Sequence, residues 1–344
     1  LPVLAAIRKA APDAKIDWLV EENYASILSL VSGLERRVIV RARKSFTTPD
    51  AVSFGGALGF LRAVAFMRRQ RYDAALDLQG LIKSAVWASM SGARRVIGFD
   101  RAQLREPMAR MFYSETVEPT DPLANEPAGQ HVIEKNLSIL RALQISPGPA
   151  EMPMQPHAGS DTLRAIESAG GPRRYIVLNP GAAWPNKRWP PDRFGALASA
   201  LRDRTGLASL ITWGPSERDL ADAIVRASSG AATAAPATSV SDLGVLMRDA
   251  ALVVSGDTGP LHIAAAMGTP LVGLYGPTWP ERNGPWDPND VVISRADVCV
   301  CHHKRECLRG APCINEITLQ EVVTASEKRL AAGRPVARGP GEGR

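Results

Sequence analysis

The sequence predicts an α/β protein of two doubly wound domains, each a parallel sheet with helices on both faces. Three observations carry that expectation. Short apolar strands alternate with helix-like stretches from end to end, the pattern that feeds parallel sheets through helical crossovers. The length of 344 residues exceeds what one hydrophobic core usually organises. A Pro- and Gly-rich break interrupts the alternation near its middle.

In chain order, Leu4, Ile7 and Ala11 stand at helical spacing, where an α/β domain ordinarily leads with a strand, so a first strand is expected upstream of Leu1. Strands are predicted at Ile16–Val20, Arg37–Val40, Ala74–Leu78 and Val96–Gly98. The cluster Gly55-Gly56-Ala57-Leu58-Gly59 reads as a loop, because no strand is apparent before it to make a dinucleotide fingerprint. Pro119, Pro122 and Pro127 mark a linker from about residue 118, followed by a helix over Gln130–Leu143 and a second Pro/Gly-rich run, Ser146–Gly159. Strands resume at Tyr175–Leu178, Ala208–Trp213, Ala251–Ser255 and Leu271–Tyr275. The expected division is therefore a first domain over 1–145, a second over 146–330 and a disordered tail over 331–344. Ligands of open α/β sheets sit at the carboxyl ends of strands, so two such domains across a hinge are expected to enclose a cleft.

Composition narrows the function. Apolar content of 45% with 22% charged residues is that of a folded, water-soluble chain, and no apolar stretch approaches the ~20 residues of a membrane-spanning helix. No charged flank or small-residue cleavage site marks a signal peptide, so the expected compartment is the cytoplasm. The net charge of +6 is concentrated in the first half, where Leu1–Tyr113 holds 18 Lys and Arg against 10 Asp and Glu. Such a surface attracts anions, or is ordinary solvated charge.

Three loops at predicted strand ends carry the candidate chemistry. In Ser255-Gly256-Asp257-Thr258-Gly259-Pro260-Leu261-His262 a buried strand breaks into a Gly-rich loop that opens a helix over Leu261–Met267. Free N–H groups and the helix dipole there favour a diphosphate, while the plainer alternative is a tight turn with Asp257 as cap. Asn179-Pro180-Gly181-Ala182-Ala183-Trp184-Pro185-Asn186-Lys187-Arg188 is a rigid loop presenting two cations. A lysine there can neutralise a leaving phosphate as a metal does elsewhere, or merely be solvated. Thr212-Trp213-Gly214-Pro215-Ser216-Glu217 places a carboxylate on the same rim, suited to ribose hydroxyls or to an ordinary helix start.

In these loops the sequence resembles the inverting ADP-heptose transferases that build the inner core of lipopolysaccharide. The resemblance rests on Pro180-Gly181, Lys187-Arg188-Trp189-Pro190, Gly214 with Glu217, Gly256 to His262 and Tyr275-Gly276-Pro277-Thr278. In the first half it rests on Asp77-Leu78-Gln79-Gly80-Leu81-Ile82-Lys83-Ser84, Gly98-Phe99-Asp100, Arg105-Glu106-Pro107 and Phe112-Tyr113, a set most similar to the first heptosyltransferase, which acts on Kdo-lipid A. It implies a GT-B glycosyltransferase fold of two Rossmann-like domains, acceptor on the first and ADP-heptose on the second, with no metal and no cofactor. It further implies that Lys187 holds phosphate and stabilises the leaving group, that Glu217 holds ribose and that Asp257 holds heptose hydroxyls. Ala182, Ala183, Thr258, Gly259 and His262 would lie along the diphosphate, and Lys83, Arg101 and Arg105 would meet the acidic acceptor. The implied setting is the cytoplasmic face of the inner membrane, touched peripherally, with no nucleic acid partner.

Two departures from that family stand out. Its catalytic base is an aspartate after the very first strand, so the base is expected upstream of Leu1, and Asp13, which follows a helix and Pro12, is not assigned to the role. Ala182 and Ala183 stand where some members carry hydroxyls. Cys299, Cys301, Cys307 and Cys313 cluster with His302 and His303, but the C-x-C spacing is unlike common zinc sites, and an irregular segment is expected instead. The alternatives kept open are a nucleotide-sugar epimerase or hydrolase of similar build and a non-catalytic sugar-nucleotide-binding protein.

Overall fold

The computed structural model describes residues 1–40, 51–54, 57–118, 130–155, 161–168, 172, 174–302, 304–307 and 309–334. The chain divides into two compact units, Leu1–Gln155 with Glu281–Asn283, and Pro156–Pro280 with Gly284–Arg344. The expected linker over 119–129, Gly55, Gly56, His303 and the tail beyond Arg334 lie outside the described residues.

The first unit runs α1 (Pro2–Ala10), β1 (Asp17–Glu21), α2 (Glu22–Ala25), β2 (Arg36–Val40), β3 (Ala51–Phe54), α3 (Ala57–Gln70), β4 (Ala74–Leu76), α4 (Ile82–Met90), β5 (Arg95–Phe99), β6 (Glu115–Val117) and α5 (Val132–Ser138). Pro2 starts α1 and Arg8 and Lys9 end it, each where the helix dipole and the unpaired terminal groups favour it. Its buried Val3 joins Ile97, Phe99, Tyr113, Ile139 and Leu140 in one core. Two all-parallel sheets form, β1-β2-β3 and β4-β5-β6. Tyr72 Oη donates to Asp17 Oδ2 at 2.5 Å beside the start of β1, and Lys83 pairs with Glu21 at its far end.

Two readings of this half change. A strand, β3, does precede Gly55, and α3 begins at Ala57, so Ala57 to Gly59 are helical rather than loop. The predicted helix over Gln130–Leu143 is α5 continued by a tighter 3-10 turn, Ile139–Leu143, which ends at Gln144 with φ 58°.

The second unit runs α6 (Asp161–Ser168), β7 (Tyr175–Asn179), α7 (Pro191–Thr205), β8 (Ala208–Ile211), α8 (Arg218–Ala227), β9 (Ala232–Ala234), α9 (Val240–Asp249), β10 (Leu252–Gly256), α10 (Gly259–Ala266), β11 (Leu271–Tyr275), α11 (Pro280–Asn283), β12 (Val291–Ser294) and α12 (Leu319–Ala331), the last residues of α11 grouping with the first unit. Pro191 opens α7 and left-handed Gly206 closes it. Capping boxes start α9 (Ser239 with Asp242) and α12 (Thr318 with Glu321). β7, β10 and β11 are buried at every residue, which is why they read in the sequence as unbroken apolar runs rather than alternations. Ile176, Leu178, Leu252, Val254, Val272 and Leu274 pack with side chains of α7, α8 and α12 in one core, each contributing about 1.5–3 kcal/mol. Truncating one, as in Leu178→Ala, costs about 2–5 kcal/mol.

The strand order is β12-β11-β10-β7-β8-β9, all parallel. From β7 the chain winds outward through β8 and β9; from β10 it winds the other way through β11 and β12. The order therefore reverses between β7 and β10, and the loops leaving those two strands diverge at that point.

Candidate functional site

Two of the three loops singled out in the sequence leave the second unit's sheet at this reversal, and the third leaves β8 beside it. A cluster of ionic side chains sits there. Lys187, in the short 3-10 turn Pro185–Lys187 after β7, donates to Asp257 Oδ2 at 2.5 Å, and Asp257 follows β10 directly. Lys187 Nζ also lies 4.8 Å above the Trp184 ring. Thr278 Oγ1 donates to Asp257 Oδ2 at 2.8 Å, and His262 Nε2 lies 3.6 Å from Oδ1. Burial works to raise the Asp257 pKa. The contacts of His262, Lys187 and Thr278 outweigh it and hold the carboxyl well below the usual carboxylate range. Asp257 is thus held as an anion in neutral solution.

Close backbone approach explains Gly256, and a neighbouring carboxylate crowds Gly181. A Cβ on Gly181 would lie 2.1 Å from the Glu217 carboxylate, and one on Gly256 would lie 2.9 Å from the Lys187 carbonyl oxygen. Glu217 is held over Gly181 by the Gly214 N–H at 2.9 Å and by Arg188 Nη2 at 3.4 Å. Arg188 Nε in turn donates to the Ala182 carbonyl at 2.7 Å, which bends the loop back on itself. Ala182 is buried and Ala183 exposed.

Thr258 is the N-cap of α10, and the helix starts two residues earlier than the sequence suggested, at Gly259. A Cβ on Gly259 would meet nothing within 4 Å, so there is room beside the start of this helix. The structure therefore brings Lys187, Asp257, Thr258, Gly259 and His262 together around one helix start, with Glu217 on the neighbouring loop. A cation beside a helix N-terminus with room around it is an arrangement suited to a diphosphate.

Sequence reasoning missed the buried side chain that ties this rim together. Asn179, the last residue of β7, donates to Ser255 Oγ at 3.0 Å and Thr258 Oγ1 at 3.3 Å, and accepts from Thr212 Oγ1 at 3.1 Å. It links β7, β8 and β10 where the loops depart. Thr278, too, was quoted only as part of a motif. No local pattern betrays either residue, because their importance depends on which strands are neighbours.

In the first unit, Lys83 is the second residue of α4 and pairs with Glu21. Arg101 lies in a 3-10 turn capped by Asp100, whose Oδ1 accepts from Ala102 N at 3.1 Å. Arg105 is exposed beside the Gly80 turn, where Glu106 N donates to the Gly80 carbonyl at 3.2 Å and Glu106 Oε2 accepts from Ile82 N at 2.7 Å. Lys83, in the first turn of α4, and Arg105 therefore stand on adjoining segments. Asp77 fixes this arrangement from below: buried, it accepts from Gln79 N, Gly80 N, Ser84 Oγ and Tyr113 Oη, the last at 2.7 Å. Among the described residues neither Arg101 nor Arg105 has an ion-pair partner. Asp13 is exposed in the turn after α1.

Cys299, Cys301 and Cys313 are buried together with Cys307 packed against them, and all four are free thiols. Cys299 and Cys301 Sγ are 3.6 Å apart. Burial, with the neighbouring thiols, pushes the Cys313 thiol up to about 12, so it stays protonated. Among the described residues no three His, Cys, Asp or Glu side chains are grouped to hold a metal ion. Trp279 stacks on His302 with centroids 4.9 Å apart.

Residues 61–311 match glycosyltransferase family 9 (heptosyltransferase). The chain belongs to that family. Lipopolysaccharide heptosyltransferase 1 of Pseudomonas aeruginosa is 29% identical over 96% of this chain and 94% of its own length. Lipopolysaccharide heptosyltransferase 3 of Escherichia coli is 28% identical over 98% and 95%. Among solved structures, E. coli heptosyltransferase WaaC with ADP superposes with a TM-score of 0.72 at 25% identity, covering 95% of this chain and 94% of that one. The same enzyme has been seen with ADP-2-deoxy-2-fluoro heptose. The family membership and GT-B fold class expected from the loop motifs are thereby established, and the chain is a glycosyltransferase of the heptosyltransferase family.

Proposed function

We propose that this chain transfers heptose from ADP-heptose to the Kdo region of a lipid A acceptor in assembly of the lipopolysaccharide core, with inversion and without a metal, at the cytoplasmic face of the inner membrane. The supporting observation is the Lys187–Asp257 pair beside the open first turn of α10, at the strand-order reversal of a sheet in a family of heptosyltransferases. A diphosphate set on the N–H groups of Thr258 and Gly259 competes with Asp257 for Lys187. One charge-assisted hydrogen bond from that ammonium contributes about 1.5–3 kcal/mol. The same contact neutralises the charge that develops when the bond from the anomeric carbon to the diphosphate breaks. Asp257, kept ionised, accepts from heptose hydroxyls with whatever capacity Lys187, Thr278 and His262 leave it, and Glu217 takes the ribose.

On the acceptor side, Lys83, Arg101 and Arg105 meet carboxylates and phosphates. The attacking oxygen of the acceptor hydroxyl forms the new glycosidic bond as ADP departs, and its proton passes to a base that we assign to no described residue. The test is release of ADP from ADP-heptose by the full chain in EDTA, with and without Kdo-lipid A. Release that requires acceptor is the expected result. Release without acceptor, or only with added metal, contradicts the reading.

A further inference from the structure

Among the described residues of the second unit, three helices start at a hydroxyl N-cap, and one of the three is left uncapped. Ser239 accepts from Asp242 N at 3.1 Å to close α9, and Thr318 accepts from Glu321 N at 3.3 Å to close α12. Each bond takes up a first-turn N–H that has no partner within its own helix. Thr258 stands at the N-cap of α10 with a backbone that is also extended, yet its side chain makes no capping hydrogen bond.

The Thr258 hydroxyl is held elsewhere. Its oxygen accepts from Asn179 Nδ2 at 3.3 Å, donates to the Gly256 carbonyl at 3.3 Å and lies 3.3 Å from Ser255 Oγ. Behind it the network is sealed, with Asn179, Ser255 and Thr212 4%, 0% and 2% exposed. Asn179 Nδ2 also donates to Ser255 Oγ at 3.0 Å, while Thr212 Oγ1 donates to Asn179 Oδ1 at 3.1 Å, which fixes the amide with its nitrogen toward Thr258. A buried amide bonded in this way can turn only by breaking several hydrogen bonds at once. Asn179 ends β7 and Thr258 follows β10, so the contact spans the reversal of strand order.

An N-cap oxygen and a phosphate oxygen are both acceptors, and they compete for the same helix start. At α9 and α12 the side chain takes that place. We propose that Asn179 is a positioning residue for the donor: by holding the Thr258 hydroxyl against the ends of β7 and β10, it keeps that hydroxyl off the start of α10, where the diphosphate of a nucleotide sugar sits. Asn179 touches no reacting atom and acts through Thr258. The inference rests on the donor site proposed above and adds how that site is kept vacant.

Calorimetric titration of ADP into the full chain tests it, using wild type, Asn179→Ala, Ser255→Ala, Thr258→Val and the double variant of Asn179→Ala with Thr258→Val, each with its melting temperature. Asn179→Ala frees the hydroxyl to turn onto α10 and lowers ADP affinity about tenfold. Ser255→Ala also deletes a buried member of the network and lowers the melting temperature, but it leaves Asn179 on Thr258, and its ADP affinity stays within about threefold of wild type. The double variant has no hydroxyl to misplace, so its affinity returns to that of Thr258→Val alone. An asparagine that is merely structural predicts the reverse, a further loss when the second substitution is added.

Asn179→Ser, which keeps a hydroxyl in the buried network but is too short to hold Thr258, replaces the alanine variant if that one does not fold. Failure of both to fold makes Asn179 structural and overturns the proposal. So does wild-type ADP affinity in Asn179→Ala, an equal loss in Ser255→Ala, or an additive loss in the double variant. Those results leave the donor site standing, whereas a wild type that binds no ADP removes the donor reading and this inference together.

Discussion

Two aspartates with buried side chains at opposite ends of the second unit's sheet meet a cation each, yet their carboxyl groups are driven in opposite directions. Asp257 follows β10 at its carboxyl end and pairs with Lys187 at 2.5 Å. Asp290 precedes β12 at the amino end and accepts from Arg329 Nε at 2.8 Å and from Leu271 N at 3.1 Å. Burial dominates at Asp290 and pushes it up to about 6 in spite of Arg329. At Asp257 the contacts prevail over burial and hold it low. The cations differ as well: Arg329 is 1% exposed and Lys187 15%. The Asp290 pair is a sealed clamp between α12 and the sheet, whereas the Asp257 pair stands at a rim where a ligand anion can reach the lysine. An ion pair between buried partners thus marks a site only when its position on the sheet and its access to solvent agree.

The most damaging way to break this comparison is Arg329→Leu. It leaves Asp290 buried without its partner and is expected to lower stability by about 3–5 kcal/mol in urea denaturation, with ADP affinity retained by the molecules that remain folded. Next in size is the pH dependence, which the two carboxylates split by sign. Asp257 has a lowered folded pKa, so its stabilisation is present above the ordinary carboxylate value of about 4 and is lost as pH falls below it toward the folded value. Asp290 has a raised one, so between about pH 4 and about 6 the unfolded chain gives up a proton that the folded chain keeps, and stability falls as pH rises. In thermal melts the gap between wild type and Asp257→Asn should therefore narrow as pH falls below about 4, whereas the gap to Asp290→Asn should change between about pH 4 and about 6, and changes confined to one common window would remove the distinction. The smallest effect is Thr278→Val, which deletes one hydroxyl from Asp257 and is expected to cost about 1 kcal/mol, read as a small drop in melting temperature.

Much of the fold was legible because β7, β10 and β11 are buried on both faces and announce themselves as apolar runs. β9, with the sequence Ala-Thr-Ala, and β6, Glu-Thr-Val, are three residues each and carry no such signal. β3 and the start of α3 flank Gly55 and Gly56, and the glycines drew the reading toward a loop. In the candidate site, Lys187, Glu217 and Asp257 stood out in the sequence because they are charged residues in Gly- and Pro-rich loops after strands. That Lys187 and Asp257 pair with each other across 70 positions was not, nor was the hub at Asn179. Both follow from β7 lying next to β10, a fact of strand order that no window of sequence contains. Motif resemblance supplied the family where spacing alone left a nucleotide site and a plain turn equally open.

The central claim is that Lys187 exchanges Asp257 for the diphosphate of the donor. Calorimetric titration of ADP into wild type and Lys187→Ala tests it most directly. A loss of about tenfold to a hundredfold in affinity, with the melting temperature of the unliganded variant lowered less than in Arg329→Leu, is the predicted result. ADP affinity unchanged by the substitution would contradict the account.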